Sequence, residues 1–225
     1  MSEHVILIGA NGWQHPQWDG EFYPDDLPVE WKIGYYGNEY PIAVVPNTYW
    51  KSGSDQYAEW LEESDESLRF ICEWPATGAS EEDYAQAREG IESLKERVGG
   101  VLVPITAIPT DLEWQHIYGI AKNELISFDL LSEVKADFIA KLVTHSPELD
   151  YGICWDGEQV SQGDIKLGQL AICRIEQDPG PKDLRLLLET MIATSHNDRS
   201  LVFIVDGAPP DMKLLTNAGI ILDLL

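Results

Sequence analysis

Five acidic side chains, Glu73, Asp129, Asp156, Glu176 and Asp206, and one basic one, Arg174, each fall at or just past the end of a short apolar run. If those runs are parallel strands of one sheet, their C-terminal ends meet and the carboxylates face a common space. Crowded carboxylates raise one another's pKa and can then exchange protons with a substrate as general acid and base. They can equally bind a polar ligand, hold a hard oxygen-coordinated cation, or form a solvated rim without chemistry. These readings stay open from the residues alone. A zinc site is the weakest of them, because it needs imidazoles at the mouth. Of the five histidines only His15 closely follows a run, while His116 falls in the early turns of a helix and His145 and His196 near helix C-termini, where they complement the dipole. No metal-ligand set is assigned.

Other groups at the same ends suit ligand binding: Asn11, Trp13 and His15 after the first run, Asn47 and Tyr49 after the second, and Arg174 in the seventh. Trp13, Trp18, Tyr49 and Trp50 either line a mouth, stacking on a sugar or planar ligand, or close the barrel end as core. No G-x-S-x-G, H-E-x-x-H or G-x-x-x-x-G-K-[ST] occurs. Gly9-Ala10-Asn11-Gly12 lacks the spacing of a dinucleotide fingerprint and reads as a strand-ending turn, so the cofactor, if any, is unknown.

The elements that must position these groups follow from periodicity. Eight runs, at 5–9, 42–46, 68–74, 101–106, 125–130, 151–155, 167–175 and 201–206, are short and rich in β-branched residues. Several are continuously apolar, as strands covered on both faces must be. Between them lie helical patterns at 29–39, 54–64, 132–145 and 210–218, the last ending at Gly219 as a left-handed cap. Ser80-Glu81-Glu82-Asp83 and Thr110-Asp111-Leu112-Glu113 read as capping boxes. After Pro181, the spacing of Leu184, Leu187, Leu188, Met191 and Ile192 requires an amphipathic helix laid on a sheet. Alternating strands and helices favour a compact, TIM-like (β/α)8 barrel of the α/β class over a doubly wound open sheet, built as one domain over residues 1–225. The connection at 156–166 has no apolar periodicity, so the barrel is expected to be irregular between strands 6 and 7.

Composition narrows the partners. With 39 acidic and 15 basic residues among 225, the formal net charge is −24, and the sequence pI is about 4.3. Nucleic acid and anionic membranes attract basic surfaces by counterion release, so neither is an expected partner. A small polar molecule or another protein is. Cys72, Cys154 and Cys173 lie far apart inside apolar runs, as buried residues of a reducing compartment do. Met1-Ser2-Glu3-His4 has no basic stretch and the next apolar run is too short for a leader or a membrane span, so the expected location is the cytoplasm.

One ordered set of residues is recognisable: Ile8-Gly9-Ala10-Asn11-Gly12-Trp13, Trp18, Phe22-Tyr23-Pro24, Leu27-Pro28, Tyr35-Tyr36, Asn47-Thr48-Tyr49-Trp50, Trp60 and Leu68-Arg69-Phe70. In this the chain resembles the YecE-like family, the domain of unknown function numbered seventy-two. The likeness spans about seventy residues and then thins to Arg174 and the final run at 202–206. It implies a TIM-like barrel, which has been likened to endonuclease IV and sugar isomerases, and no established activity. Where the family carries polar mouth residues this chain departs: Val44 and Pro46 stand for its Glu and Asn, Glu73 for a Lys, and Asp129-Leu130 for an Arg-His pair. Glu176 stands for a His and Asp206-Gly207 for an Asn-Asn. Trp13, Arg174 and Asp206 carry over. The resemblance therefore implies a diverged, non-catalytic relative that binds a small polar ligand or a protein partner at the C-terminal barrel mouth. The alternative is a carboxylate-based hydrolase or isomerase acting on a sugar-like substrate through groups such as Glu73 and Glu176. Nucleic-acid processing conflicts with the charge and the missing histidines.

Overall fold

A computed structural model of the chain describes residues 6–145, 148–157, 168–194 and 199–225. Eight parallel strands run in the order β1 (Ile6–Asn11), β2 (Ile42–Val45), β3 (Arg69–Glu73), β4 (Val98–Ile105), β5 (Ile126–Leu130), β6 (Gly152–Ile153), β7 (Leu170–Ile175) and β8 (Ser200–Val205). Each pairs with its sequence neighbour except β6 with β7, and β1 also pairs with β8, so the sheet curls in the spatial order β6-β5-β4-β3-β2-β1-β8-β7. Among the described residues, closure between β6 and β7 rests on one bridge: Trp155 N–H donates to the Ile172 carbonyl at 2.9 Å and Arg174 N–H to the Trp155 carbonyl at 2.8 Å. The fold is a (β/α)8 barrel with a seam at β6/β7, as the patternless connection led one to expect. Most of that connection, 158–167, lies outside the described residues.

Among the described residues seven α-helices pack outside: α1 (Lys32–Glu39), α2 (Ser54–Glu63), α3 (Glu81–Leu94), α4 (Asp111–Ala121), α5 (Ser132–His145), α6 (Pro181–Thr194) and α7 (Met212–Leu222). Both capping boxes form, with Ser80 and Asp83, and Thr110 and Glu113, exchanging side-chain and backbone hydrogen bonds. Pro181 opens α6, where its missing N–H has no intrahelical partner to lose. Gly219 is not the left-handed cap expected of it. It lies within α7, which runs on to Leu222, and a Cβ there would come 3.3 Å from Ile8 Cδ1, so the glycine serves a close approach of helix to strand. β1 likewise runs through Asn11, and the turn begins only at Gly12, whose φ is +76°.

Two buried layers hold the barrel. Ile42, Val44, Ile71, Leu102, Leu170, Ile172, Val202 and Ile204 fill its interior, and a larger cluster lies between sheet and helices. Each such side chain contributes roughly 1.5–3 kcal/mol on burial. Among the described residues no helix is long and apolar enough to cross a membrane. The three cysteines are free, and burial raises the thiol pKa of each.

Candidate functional site

The interior register carries the site. Side chains alternate across a strand, so the row that places Leu7, Ile71, Ile172 and Ile204 inside continues to Asn11, Glu73, Arg174 and Asp206 at the C-terminal mouth. Asp129 joins them through its pairing with Pro104, two residues beyond Leu102. This is the end at which barrels of this kind assemble their ligand sites.

Arg174 is the centre. Its Nη1 donates to Asp129 Oδ2 at 2.9 Å and stands 3.5 Å from Glu73 Oε1, while Nη2 is 2.7 Å from Asp206 Oδ2. Asp206 Oδ1 accepts from Asn11 Nδ2 at 2.7 Å and from the Gly207 N–H at 2.8 Å. Glu73 Oε2 accepts from the Asn47 N–H at 3.0 Å, and the Glu73 carbonyl accepts from Trp50 Nε1 at 2.8 Å. Glu73 thus ties the segment after β2 to the barrel mouth. The guanidinium side chain is only 16% exposed, against 13% for Glu73, 26% for Asp206 and 38% for Asp129.

Burial raises the Glu73 carboxyl pKa above its usual range, and the charges of Asp206 and Asp129 add to this, while the Asn47 N–H and Arg174 oppose it. Burial also works against the Arg174 charge, but Asp206, Glu73 and Asp129 outweigh it and raise the arginine further. Arg174 is a fixed cation at every accessible pH. His15 is lowered by burial, although its bond to Asn11 and the charge of Asp206 pull upward. Its Nε2 lies 2.9 Å from the Asn11 carbonyl, which can only accept, so Nε2 carries the proton.

A cleft of about 650 Å³ opens beside this network, between the ends of β5, β6, β7 and β8. Asp129, Arg174 and Asp206 line it together with Asp156, Glu176 and Lys135, and Ile153, Trp155, Ile175 and Leu187 form an apolar wall. Four of the five anticipated carboxylates therefore line one cleft. Asp156 and Glu176 are exposed, and Glu73 touches Arg174 without lining it. Among the described residues no three His, Cys, Asp or Glu side chains come together as ligands for a metal ion.

The aromatic candidates fall elsewhere. Trp13 is fully buried, packed edge-on against Tyr49 at 5.2 Å and Trp60 at 4.9 Å. Trp18 and Trp50 are buried too. These rings close the barrel end as core, so Trp13 offers no face to a ligand. Tyr49 is half-buried, with its hydroxyl 3.4 Å from the Gln14 N–H. Asn47 acts through its backbone, and His15 packs on Trp18 at 4.5 Å. None of Asn47, Tyr49 and His15 lines the cleft. Sequence reasoning missed Lys135 and Cys154, which do. The alternation Gly152, Cys154, Asp156 could have placed Cys154, whereas nothing marks Lys135 among the other lysines of a solvated helix.

Residues 7–107 match the family model described as "Protein of unknown function DUF72". A crystal structure of a DUF72 family protein from Enterococcus faecalis superposes with a TM-score of 0.68 at 14% identity, covering 98% of this chain and 96% of that one. No curated protein matches the chain. The resemblance read from the N-terminal residues holds, and at this identity the structural likeness speaks for the fold alone.

Proposed function

We propose that this DUF72-like barrel is a non-catalytic binding protein that takes a small polar molecule into the cleft at its C-terminal mouth. The observation carrying this is the engagement of the central groups with one another. Arg174 is shared among three carboxylates, both oxygens of Glu73 and of Asp206 have partners, and only Asp129 contributes a single oxygen to the network. A general base must be able to accept a proton without first breaking an ion pair, and here that break would leave a partly buried charge unpaired. A cleft with an apolar wall and a few convergent charged groups is instead the ordinary form of a small-molecule site. Burial of Trp13, Trp18 and Trp50 favours such a ligand over a protein docked on the aromatic N-terminal third. Three free cysteines fit a cytoplasmic location.

The second reading, a hydrolase or isomerase of sugar-like substrates, is favoured by one feature: the raised pKa of Glu73, as a general acid requires. A thermal-shift screen of sugars, polyols, amines and small acids tests the first. Specific binders raise the melting temperature, and the shift should vanish in Asp129→Asn. Hits that the protein consumes, with turnover lost in Glu73→Gln, would install the second reading instead.

A further inference from the structure

We infer that the foot of the barrel, the end opposite the mouth, carries a second ligand site, in which Arg69 and Arg97 together bind a phosphate dianion or the phosphoryl group of a larger molecule. Arg69 opens β3, and Arg97 ends the short 3-10 turn that leads into β4. The turn after α2 draws them together. The Leu68 carbonyl accepts from Arg97 Nε at 2.9 Å and from Arg69 Nη1 at 3.2 Å, so two guanidiniums converge on one oxygen. Arg97 Nη2 donates also to Ser64 Oγ at 2.9 Å and to the Asp65 carbonyl, and Arg69 Nη1 to the Glu66 carbonyl at 2.6 Å. The Phe70 ring, 5.9 Å from the Arg97 guanidinium carbon, supports that group from below. A Cβ on Gly99 would come 3.3 Å from Arg69 Cβ, so the glycine leaves the Arg69 stem its place beside β4.

The contrast with Arg174 points to a ligand. Three carboxylates hold Arg174, whereas every acceptor of Arg69 and Arg97 among the described residues is a neutral oxygen. Asp65 and Glu66 share their turn and are exposed, but Asp65 gives Oδ1 to the Ser67 N–H, and neither acid forms an ion pair with either arginine among the described residues. Burial and the Arg69 charge lower the Arg97 pKa, and the more distant charges of Asp65 and Glu66 do not reverse this. A guanidinium has five N–H donors. Arg97 Nη1 and the Nε/Nη2 edge of Arg69 have no partner among the described residues. That edge is the fork that grips two oxygens of one oxyanion. Both side chains are half-buried, so solvent reaches them and the fold holds them in place. A dianion cancels two like charges that a monocarboxylate would cancel only by half. The net charge of −24 opposes anions from afar, yet salt near 0.1 M screens that field over about 10 Å, while the fork acts at bonding distance.

The test is calorimetric titration of inorganic phosphate, acetate and phenyl phosphate at one ionic strength, because any salt screens this acidic chain. Phosphate should bind at one site with a Kd of about 1 mM or tighter, and acetate at least about tenfold more weakly. Phenyl phosphate binding more tightly than phosphate assigns the site to a phosphoryl group on a larger molecule, and weaker binding assigns it to the free ion. Phosphate affinity should fall at least about tenfold in Arg69→Met and also in Arg69→Lys, which keeps the charge and loses the fork, so a folding failure of the first variant leaves the second to decide. Arg185→Met removes the same charge from an exposed pair with Glu189 on α6 and should bind phosphate as the wild type does. No saturable phosphate binding, acetate binding as tight as phosphate, affinity unchanged in the Arg69 variants, or an equal loss in Arg185→Met would each overturn the inference. The mouth cleft and its ligand are untouched by any of these outcomes.

Discussion

At the scale of single residues, the mouth depends on one positive charge. Removing it by Arg174→Leu leaves Glu73, Asp129 and Asp206 facing one another in a partly buried space. Loss of one partner from such a cluster costs about 3 kcal/mol. Denaturant titration of the wild type and the variant at pH 7 measures the deficit. Glu73 makes a separate pH prediction. Its folded-state pKa lies above its ordinary 4.5, so its neutral form is the one the fold favours. Its contribution is therefore present below that ordinary value and is lost as pH rises through the folded pKa. Melting temperatures of the wild type should fall over this interval, and those of Glu73→Gln should fall less. An identical slope in the two proteins would show that Glu73 does not titrate in this environment.

Among the elements, the β6/β7 seam is the point of least tolerance. A Cβ on Gly152 would lie 2.2 Å from the Leu170 carbonyl oxygen, so Gly152→Val must push the strands apart beside the Trp155–Cys173 bridge that joins them. Loss of the cooperative unfolding transition is expected. Gly180→Ala is the control, with φ +85° and nothing within 4 Å of the added methyl, and should cost only about 1 kcal/mol of backbone strain. The strands were legible in the sequence because burial on both faces writes itself as continuous apolar runs, and the capping boxes because their chemistry is local. Gly219 was misread because its reason, contact with Ile8, is tertiary. The same limit applies at the site. Strand-end carboxylates and Arg174 could be placed by alternation, but a tryptophan that meets Trp60 and one that meets a ligand look alike in sequence. The apolar wall was hidden for the same cause, since β6, β7 and α6 assemble it from distant segments.

For the molecule as a whole, the excess of acids does two things. It pushes the folded chain apart, so the melting temperature should rise as salt is raised from about 20 to about 200 mM and the repulsion is screened. A salt-independent transition would mean that the surface charges are locally balanced. It also biases the barrel mouth, where four carboxylates and two bases share one cleft. The proposed function turns on whether that cleft holds a molecule beside Arg174 and Asp129. The direct measurement is calorimetric titration of the strongest thermal-shift hit into the wild type and into Asp129→Asn. Saturable one-site binding that weakens at least about tenfold in the variant is the predicted result. Equal affinity in both proteins would contradict it and place the ligand elsewhere.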